Sequence, residues 1–109
     1  MNSDALDVNY QNGVLTAKIT CDIDHHRAKH IRQRIDACIF DYRPSSVWLD
    51  LSAVDFMDSS GLGLILGRYN TACEVGSEFV IFSPSRSVQK IRELAGIERI
   101  IKIEGEIRI

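Results

Sequence analysis

The segment VDFMDSSGLGLILGRY, residues 54–69, follows a short apolar run at residues 47–51 and starts a new pattern, with apolar residues three and four apart. This change of period predicts a strand that gives way to a helix. Asp58, Ser59 and Ser60 therefore lie at the predicted helix start, where backbone N–H groups lack partners and carry partial positive charge. Ser59 can either cap this helix or carry a phosphate, and the residues leave both interpretations open.

Two glycines favour a role beyond capping. Gly61 and Gly63 fall in the first turn, where each costs about 1 kcal/mol of helix stability relative to alanine. Such a local cost is typical of a site that another molecule approaches closely. A phosphate on an exposed Ser59 would add about two negative charges, which the helix end would tolerate and which Asp58 or a partner's carboxylate would repel. The segment thus predicts an interaction surface that phosphorylation switches off.

The composition is that of an ordinary globular protein. Of the 109 residues, 45% are hydrophobic and 26% are charged, which predicts one compact domain over residues 1–109. The net charge of −2 argues against a nucleic-acid partner, and no apolar run is long enough to predict a membrane partner. Three widely spaced cysteines without a CxxC pair predict free thiols in a cytoplasmic protein, with no zinc site or disulfide.

The first third of the chain predicts a hairpin followed by a helix. Alternating apolar residues at 5–10 and 14–20 flank the tripeptide Gln-Asn-Gly at 11–13, which is typical of a hairpin turn. Asp24 is placed to cap an amphipathic helix of about four turns. The apolar face of that helix consists of Ala28, Ile31, Ile35 and Cys38.

Strands and helices continue to alternate along the rest of the chain. The pattern predicts, in order, a strand at 47–51, a helix from about Ser60 to Cys73, a strand at 79–82, a helix at 85–95, a strand at 99–103 and a short tail at 104–109. Gly76 lies just past the second helix, where a C-terminal cap is expected. This order predicts an α/β fold: a mainly parallel sheet with an antiparallel N-terminal edge strand and helices in β–α units.

The glycines also allow a nucleotide interpretation. Gly61, Gly63 and Gly67 follow a strand and open a helix, as the glycines of a dinucleotide fingerprint do. The third glycine comes one residue later than in that fingerprint. Gly67 is followed by Arg68, so the lysine that a P-loop needs is missing. Nucleotide or small-ligand sensing, with weak nucleotide binding, is therefore an alternative rather than the leading hypothesis.

Metal and catalytic sites are the weaker interpretations. The cluster at residues 22–26, with His26 and His30 one turn apart, has metal-binding residue types, but a helix capped by Asp24 explains it more simply, and we expect no metal. Ser59 lacks the G-x-S-x-G elbow of hydrolases, so we expect no catalytic residue. Arg68 lies just over two turns after Ser59 and is a candidate to pair with an acidic partner on the same surface.

These motifs resemble a known family. The segment at residues 56–63, with the Gly-Arg-Tyr at 67–69, resembles the signature of the anti-sigma factor antagonists, which are STAS-domain proteins. The Asp-His-His at residues 24–26 matches a second family element near the start of the first helix. The resemblance extends over nearly the whole chain in the order of its elements, and it implies the STAS fold.

The resemblance implies a regulatory binding protein, not an enzyme, that needs no cofactor. In its unphosphorylated form such a protein binds an anti-sigma factor that is also an ATP-dependent serine kinase, and this frees a sporulation sigma factor, sigma-F. The kinase phosphorylates the first serine of the motif, here Ser59, which ends the binding, and a metal-dependent serine phosphatase reverses the modification. The implied partner-binding positions are Asp24, Asp58, Ser60, Gly61, Gly63 and Arg68. An alternative is an antagonist in a general stress-response pathway that switches partners in the same way.

The chain departs from the family pattern at two places. Cys21 stands where the family commonly has a glycine, and a cysteine would be strained if that position needed a positive φ. The tail at residues 104–109 is too short for the further helix with which family members tend to end. Contacts made by that helix are therefore not expected in this chain.

Overall fold

The computed structural model describes residues 5–82 and 99–104. Its elements are, in chain order, β1 (Leu6–Gln11), β2 (Val14–Ile19), α1 (His25–Tyr42), β3 (Ser46–Asp50), α2 (Ser59–Glu74), β4 (Glu78–Phe82) and β5 (Lys102–Glu104). The strands form a five-stranded sheet in the order β1-β2-β3-β4-β5. Because β1 is antiparallel to β2 and the other neighbours are parallel, the predicted fold class is confirmed.

The turn predicted between β1 and β2 and the cap predicted after α2 are both present. Asn12 and Gly13 have φ values of 54° and 81°, the left-handed pair of a type I′ hairpin turn, and they join β1 to β2. Gly76 has a φ of 76° and donates its backbone N–H to the Cys73 carbonyl, which confirms the cap predicted after α2. Cys21 does not have a positive φ, so its backbone is not strained in the way that a glycine position would have implied.

Some element bounds differ from the prediction. α1 has 18 residues and is about one turn longer than predicted; it ends at Tyr42, and Arg43 follows as the C-cap with a φ of 45°. The last strand begins at Lys102 rather than at residue 99, because residues 99–101 form a turn and pairing with β4 starts at the Val80–Lys102 pair. The helix predicted at 85–95 and residues 105–109 of the predicted tail lie outside the described residues.

The core lies between the sheet and the two helices. α1 packs on β2, α2 packs on β4, and the helices pack on each other. The buried apolar residues of α1 are Ile31, Ile35 and Ile39, and Leu64 and Ile65 are among those of α2. Since both helices follow parallel strands, both begin at the same edge of the sheet, which is where ligands and partners commonly bind in such folds.

Candidate functional site at the starts of the two helices

The starts of α1 and α2 are joined by backbone hydrogen bonds. Ile23 and Met57 form an isolated parallel bridge: Ile23 N donates to the Phe56 carbonyl at 3.1 Å, and Asp58 N donates to the Ile23 carbonyl at 3.2 Å. The residues that follow, Asp24 and Asp58, therefore begin the two helices side by side. Two segments that the sequence separates widely are brought into one site by this bridge.

Each helix is capped by its aspartate. Asp24 Oδ1 accepts from Arg27 N at 2.8 Å, and Asp58 Oδ1 accepts from Ser60 N at 2.8 Å. The hydrogen bond from the Arg27 N–H holds the pKa of Asp24 below its ordinary value, and the Arg27 charge acts in the same direction. The cap predicted at Asp24 is confirmed.

The interpretation of Ser59 as the cap of α2 is wrong. Asp58 takes that place with an extended backbone, φ −92° and ψ −168°, and Ser59 is the first residue inside the helix. Ser59 is exposed, and its hydroxyl has no hydrogen-bond partner among residues 5–82 and 99–104. The serine at this junction is therefore presented to solvent and is not needed to hold the helix start.

Asp22 supports the site, although no separate role was predicted for it. Its Oδ1 accepts from the backbone N–H groups of Asp55 and Phe56 at 3.2 and 3.1 Å, which fixes the loop before α2 against the loop before α1. Asp22 lies three residues after the end of β2, in a loop where an aspartate commonly accepts hydrogen bonds from backbone N–H groups. The identity of its partners, 33 and 34 residues away, becomes visible only in the fold.

The two glycines of the motif have different surroundings. Gly61 is buried, and a Cβ there would lie 2.6 Å from the Met57 sulfur and 2.8 Å from the Met57 Cβ. Gly63 is exposed, and a Cβ there would meet nothing within 4 Å. Gly61 thus permits close internal packing, and only Gly63 leaves backbone uncovered at the surface. A phosphate cradle built by both glycines, as in a dinucleotide fingerprint, does not fit this arrangement.

Arg68 differs from its predicted placement beside Ser59. It is 4% exposed, and its Nε lies 2.7 Å from Asp36 Oδ1 of α1. The contact is an ion pair between the two helices, with one partner almost fully buried. Burial lowers the pKa of Arg68, and the neighbouring Asp36 opposes that shift. The guanidinium is used inside the protein to join the two helices, because the i, i+4 spacing from Leu64 turns it toward α1.

A groove of about 320 Å³ runs between the N-terminal halves of α1 and α2. Its lining consists of His25, Ala28, Lys29, Arg32, Ser60, Gly63 and Leu64. Ser60 therefore faces this groove, whereas its neighbour Ser59 lies at the exposed helix start. The basic side chains of the lining all come from α1, whereas α2 contributes Ser60, Gly63 and the apolar Leu64.

Metal-binding residue types do not gather within residues 5–82 and 99–104. No group of three or more His, Cys, Asp or Glu side chains in these ranges is arranged to hold a metal ion. His26 and His30 instead contact each other edge to face, with ring centroids 5.6 Å apart. A search of the same residues for a helix long and apolar enough to cross a membrane finds none.

The geometry defines a class of small α/β domain in which two capped helices meet at one sheet edge and present a serine there. A family model described as the STAS domain matches residues 5–108, and the chain belongs to this family. The match is consistent with the mixed sheet and with the order of the elements.

Relatives of known name support the same assignment. The chain is 31% identical to an anti-sigma F factor antagonist of Paenibacillus polymyxa over 98 residues, covering 90% of this chain and 84% of that protein. It is 30% identical to an anti-sigma-B factor antagonist of Listeria monocytogenes over 90 residues, covering 79% of this chain and 77% of the relative. Both names describe regulators rather than enzymes.

A solved structure has the same fold. The chain is similar to the anti-sigma factor antagonist SpoIIAA in its unphosphorylated form, with a TM-score of 0.79, 26% identity, and coverage of 94% of this chain and 90% of that one. The phosphorylated form of SpoIIAA from Bacillus matches with a TM-score of 0.73, 25% identity, and coverage of 94% and 93%. The described fold is therefore that of the STAS family, as the sequence resemblance implied.

Proposed function

We propose that this chain is an anti-sigma factor antagonist controlled by phosphorylation of Ser59. In its unphosphorylated form it binds an anti-sigma factor that is also a serine kinase, and this binding releases a sporulation sigma factor of the sigma-F type. Phosphorylation of Ser59 ends the binding, and a metal-dependent serine phosphatase restores it. The protein acts in the cytoplasm as a binding partner, and the kinase supplies the nucleotide and catalytic groups.

The observation that carries this proposal is the exposed hydroxyl of Ser59, which has no hydrogen-bond partner within residues 5–82 and 99–104. Because Asp58 already caps α2, modification of Ser59 leaves the cap hydrogen bond to Ser60 in place. A phosphate at the first helical position is compatible with the partial positive charge of the helix start. The fold therefore tolerates the phosphate, while a partner that contacts this surface meets two added negative charges beside Asp24 and Asp58.

The proposed binding surface is centred on the joined helix starts. Asp24, Asp58, Ser60 and Gly63 surround Ser59 and offer carboxylates, a hydroxyl and uncovered backbone to the partner. Two other residues of the predicted set act differently in this proposal. Gly61 allows α2 to approach Met57, and Arg68 fixes α2 against α1, so both shape the surface without contacting the partner.

The proposal is tested by incubating the chain with its cognate anti-sigma kinase and ATP and measuring its intact mass. We expect one phosphoryl group on the wild type and none on Ser59→Ala. Ser60→Ala is the matched control, since it removes the adjacent hydroxyl and should still accept one phosphoryl group. An unmodified wild type in the presence of an active kinase would overturn the assignment of Ser59.

Binding measurements test whether negative charge at Ser59 ends partner binding, which is a separate question from whether Ser59 is phosphorylated. Ser59→Ala should bind the kinase as the unphosphorylated wild type does, because the hydroxyl makes no described contact within the chain. Ser59→Asp should bind at least about tenfold more weakly, because it adds a charge next to two carboxylates. Tight binding by Ser59→Asp, together with tight binding by phosphorylated wild type, would contradict control by charge.

A second candidate is an antagonist in a general stress-response pathway. The relative from Listeria monocytogenes named an anti-sigma-B factor antagonist favours it, because it covers 79% of the chain at 30% identity. Binding to anti-sigma factors from the two kinds of pathway, measured side by side with the same protein, distinguishes the candidates. Preferential binding to a stress-response anti-sigma factor would replace sigma-F as the proposed target.

A further inference from the structure

The groove between α1 and α2 has a marked division of chemistry. Its α1 side presents His25, Lys29 and Arg32, all exposed, and its α2 side presents Ser60 and Gly63. The basic residues stand at i, i+4 and i+7, so they follow one face of the helix for two turns. This continuous basic face borders a cavity of about 320 Å³ rather than a flat surface.

The described lining of this groove has basic side chains and no acidic one. Neither Lys29 nor Arg32 has an ion-pair partner within residues 5–82 and 99–104, and no carboxylate belongs to the described lining. Asp36, one turn beyond Arg32, is already paired with the buried Arg68. Arg32 is close enough to Arg68 that its charge contributes to lowering the Arg68 pKa.

The α2 side of the groove leaves space for a ligand. Gly63 has no side chain, and a Cβ built there would meet nothing within 4 Å. Ser60 adds a hydroxyl to the lining, one residue after Ser59. Ser59 lies one turn before Gly63, so the two occupy neighbouring positions along the surface of α2.

We propose that the groove between α1 and α2 binds a phosphate group through Lys29, Arg32 and the Ser60 hydroxyl. A dianion with several acceptor oxygens matches an arginine fork, an ammonium group and a hydroxyl better than a single carboxylate does. The phosphate comes either from solution or from phosphorylated Ser59 of the same chain. The second source rests on the proposed function, whereas binding of free phosphate does not.

The test is a two-dimensional amide NMR titration of the unmodified chain with inorganic phosphate, against sodium chloride of equal ionic strength. We expect saturable shifts at Lys29, Ser60 and Gly63. The variant with Lys29→Gln and Arg32→Gln should bind phosphate about tenfold more weakly, since it loses two charge-assisted contacts. Lys18→Gln on β2 is the matched control, because it removes a lysine outside the groove lining, and its titration should equal that of the wild type.

A second arm identifies the source of the phosphate. A chain with phosphoserine installed at position 59 during its synthesis should show a phosphorus resonance that shifts when Lys29 and Arg32 are replaced, and it should no longer bind free phosphate. Unchanged binding of free phosphate to this chain would assign the groove to an external phosphate. Absence of saturable shifts in the unmodified chain, or equal titrations of the wild type and the double variant, would overturn the site even if Ser59 phosphorylation is established.

Discussion

The contact between α1 and α2 differs between its two ends. At the N-terminal end the helices start side by side, but their facing residues are small or solvated, and a groove separates them. About two turns further along, the buried Arg68 contacts Asp36 at 2.7 Å and closes the gap. One helix pair can therefore keep a surface free at one end because its other half fixes the helices in place.

The closed half has apolar packing between the two helices. Ile35 and Ile39 of α1 and Ile65 and Ala72 of α2 belong to one buried cluster. Each of these isoleucine side chains contributes roughly 1.5–3 kcal/mol of transfer free energy when it is removed from water. Ser59, Ser60 and Gly63 contribute little of this kind, so the exposed end depends on the closed end for its geometry.

The largest effect is expected from breaking the closed half. Asp36→Ala leaves the guanidinium of Arg68 buried without its counter-charge, and we expect the free energy of unfolding to fall by about 2 kcal/mol. The value lies below the usual range for buried pairs because the Asp36 side chain is 27% exposed and water reaches part of it. Urea denaturation of the wild type and the variant measures the difference.

The control replaces both partners of that ion pair. Asp36→Leu combined with Arg68→Met removes both charges and keeps apolar volume, so most of the lost stability should return. If the double variant is as unstable as Asp36→Ala, the loss comes from packing rather than from the unpaired charge. If Asp36→Ala is as stable as the wild type, Arg68 is not held by Asp36 in solution.

The second prediction compares the two sides of a single turn. Gly61→Ala places a Cβ against Met57 and should lower the free energy of unfolding by about 1–2 kcal/mol despite the better helix propensity of alanine. Gly63→Ala, at the groove, should instead raise it by about 0.5–1 kcal/mol, because its Cβ enters free space. The same urea measurement applies to both variants. Equal effects would mean that Gly61 and Gly63 are equally exposed in solution.

The sequence was sufficient for the features that depend on neighbouring residues. Asn12 and Gly13 predicted the hairpin, because few residues tolerate positive φ at both turn positions. Asp24 predicted the start of α1 because its acceptor is three residues from the donor. The order of strands and helices then determined the mixed sheet, since strands linked through helices pair in parallel.

The features that the sequence did not predict depend on long-range contacts. Three consecutive polar residues at 58–60 were all able to cap α2, and the bridge between Ile23 and Met57 is what places Asp58 in the extended conformation before the helix. Arg68 looked like a surface residue because its partner, Asp36, belongs to another helix. The sequence alone does not distinguish Gly61 from Gly63. Their roles differ because Met57 packs against Gly61 and not against Gly63.

The smallest expected effect concerns the charge of Asp24 at the exposed end. Its pKa is lowered in the fold, so the carboxylate stabilises the folded state above the unfolded value of about 3.9, and this contribution is lost as the pH falls through the folded pKa. Asp24→Asn keeps an acceptor for Arg27 N but has no charge to titrate. We expect Asp24→Asn to be slightly less stable than the wild type at neutral pH, and this difference in stability should close below about pH 4.

Thermal denaturation midpoints across this pH range measure the gap in stability between the two proteins. Asp24→Ala, which lacks the acceptor as well, should remain less stable than Asp24→Asn throughout. A gap that widens on acidification would show that the carboxylate is not stabilised by the start of α1.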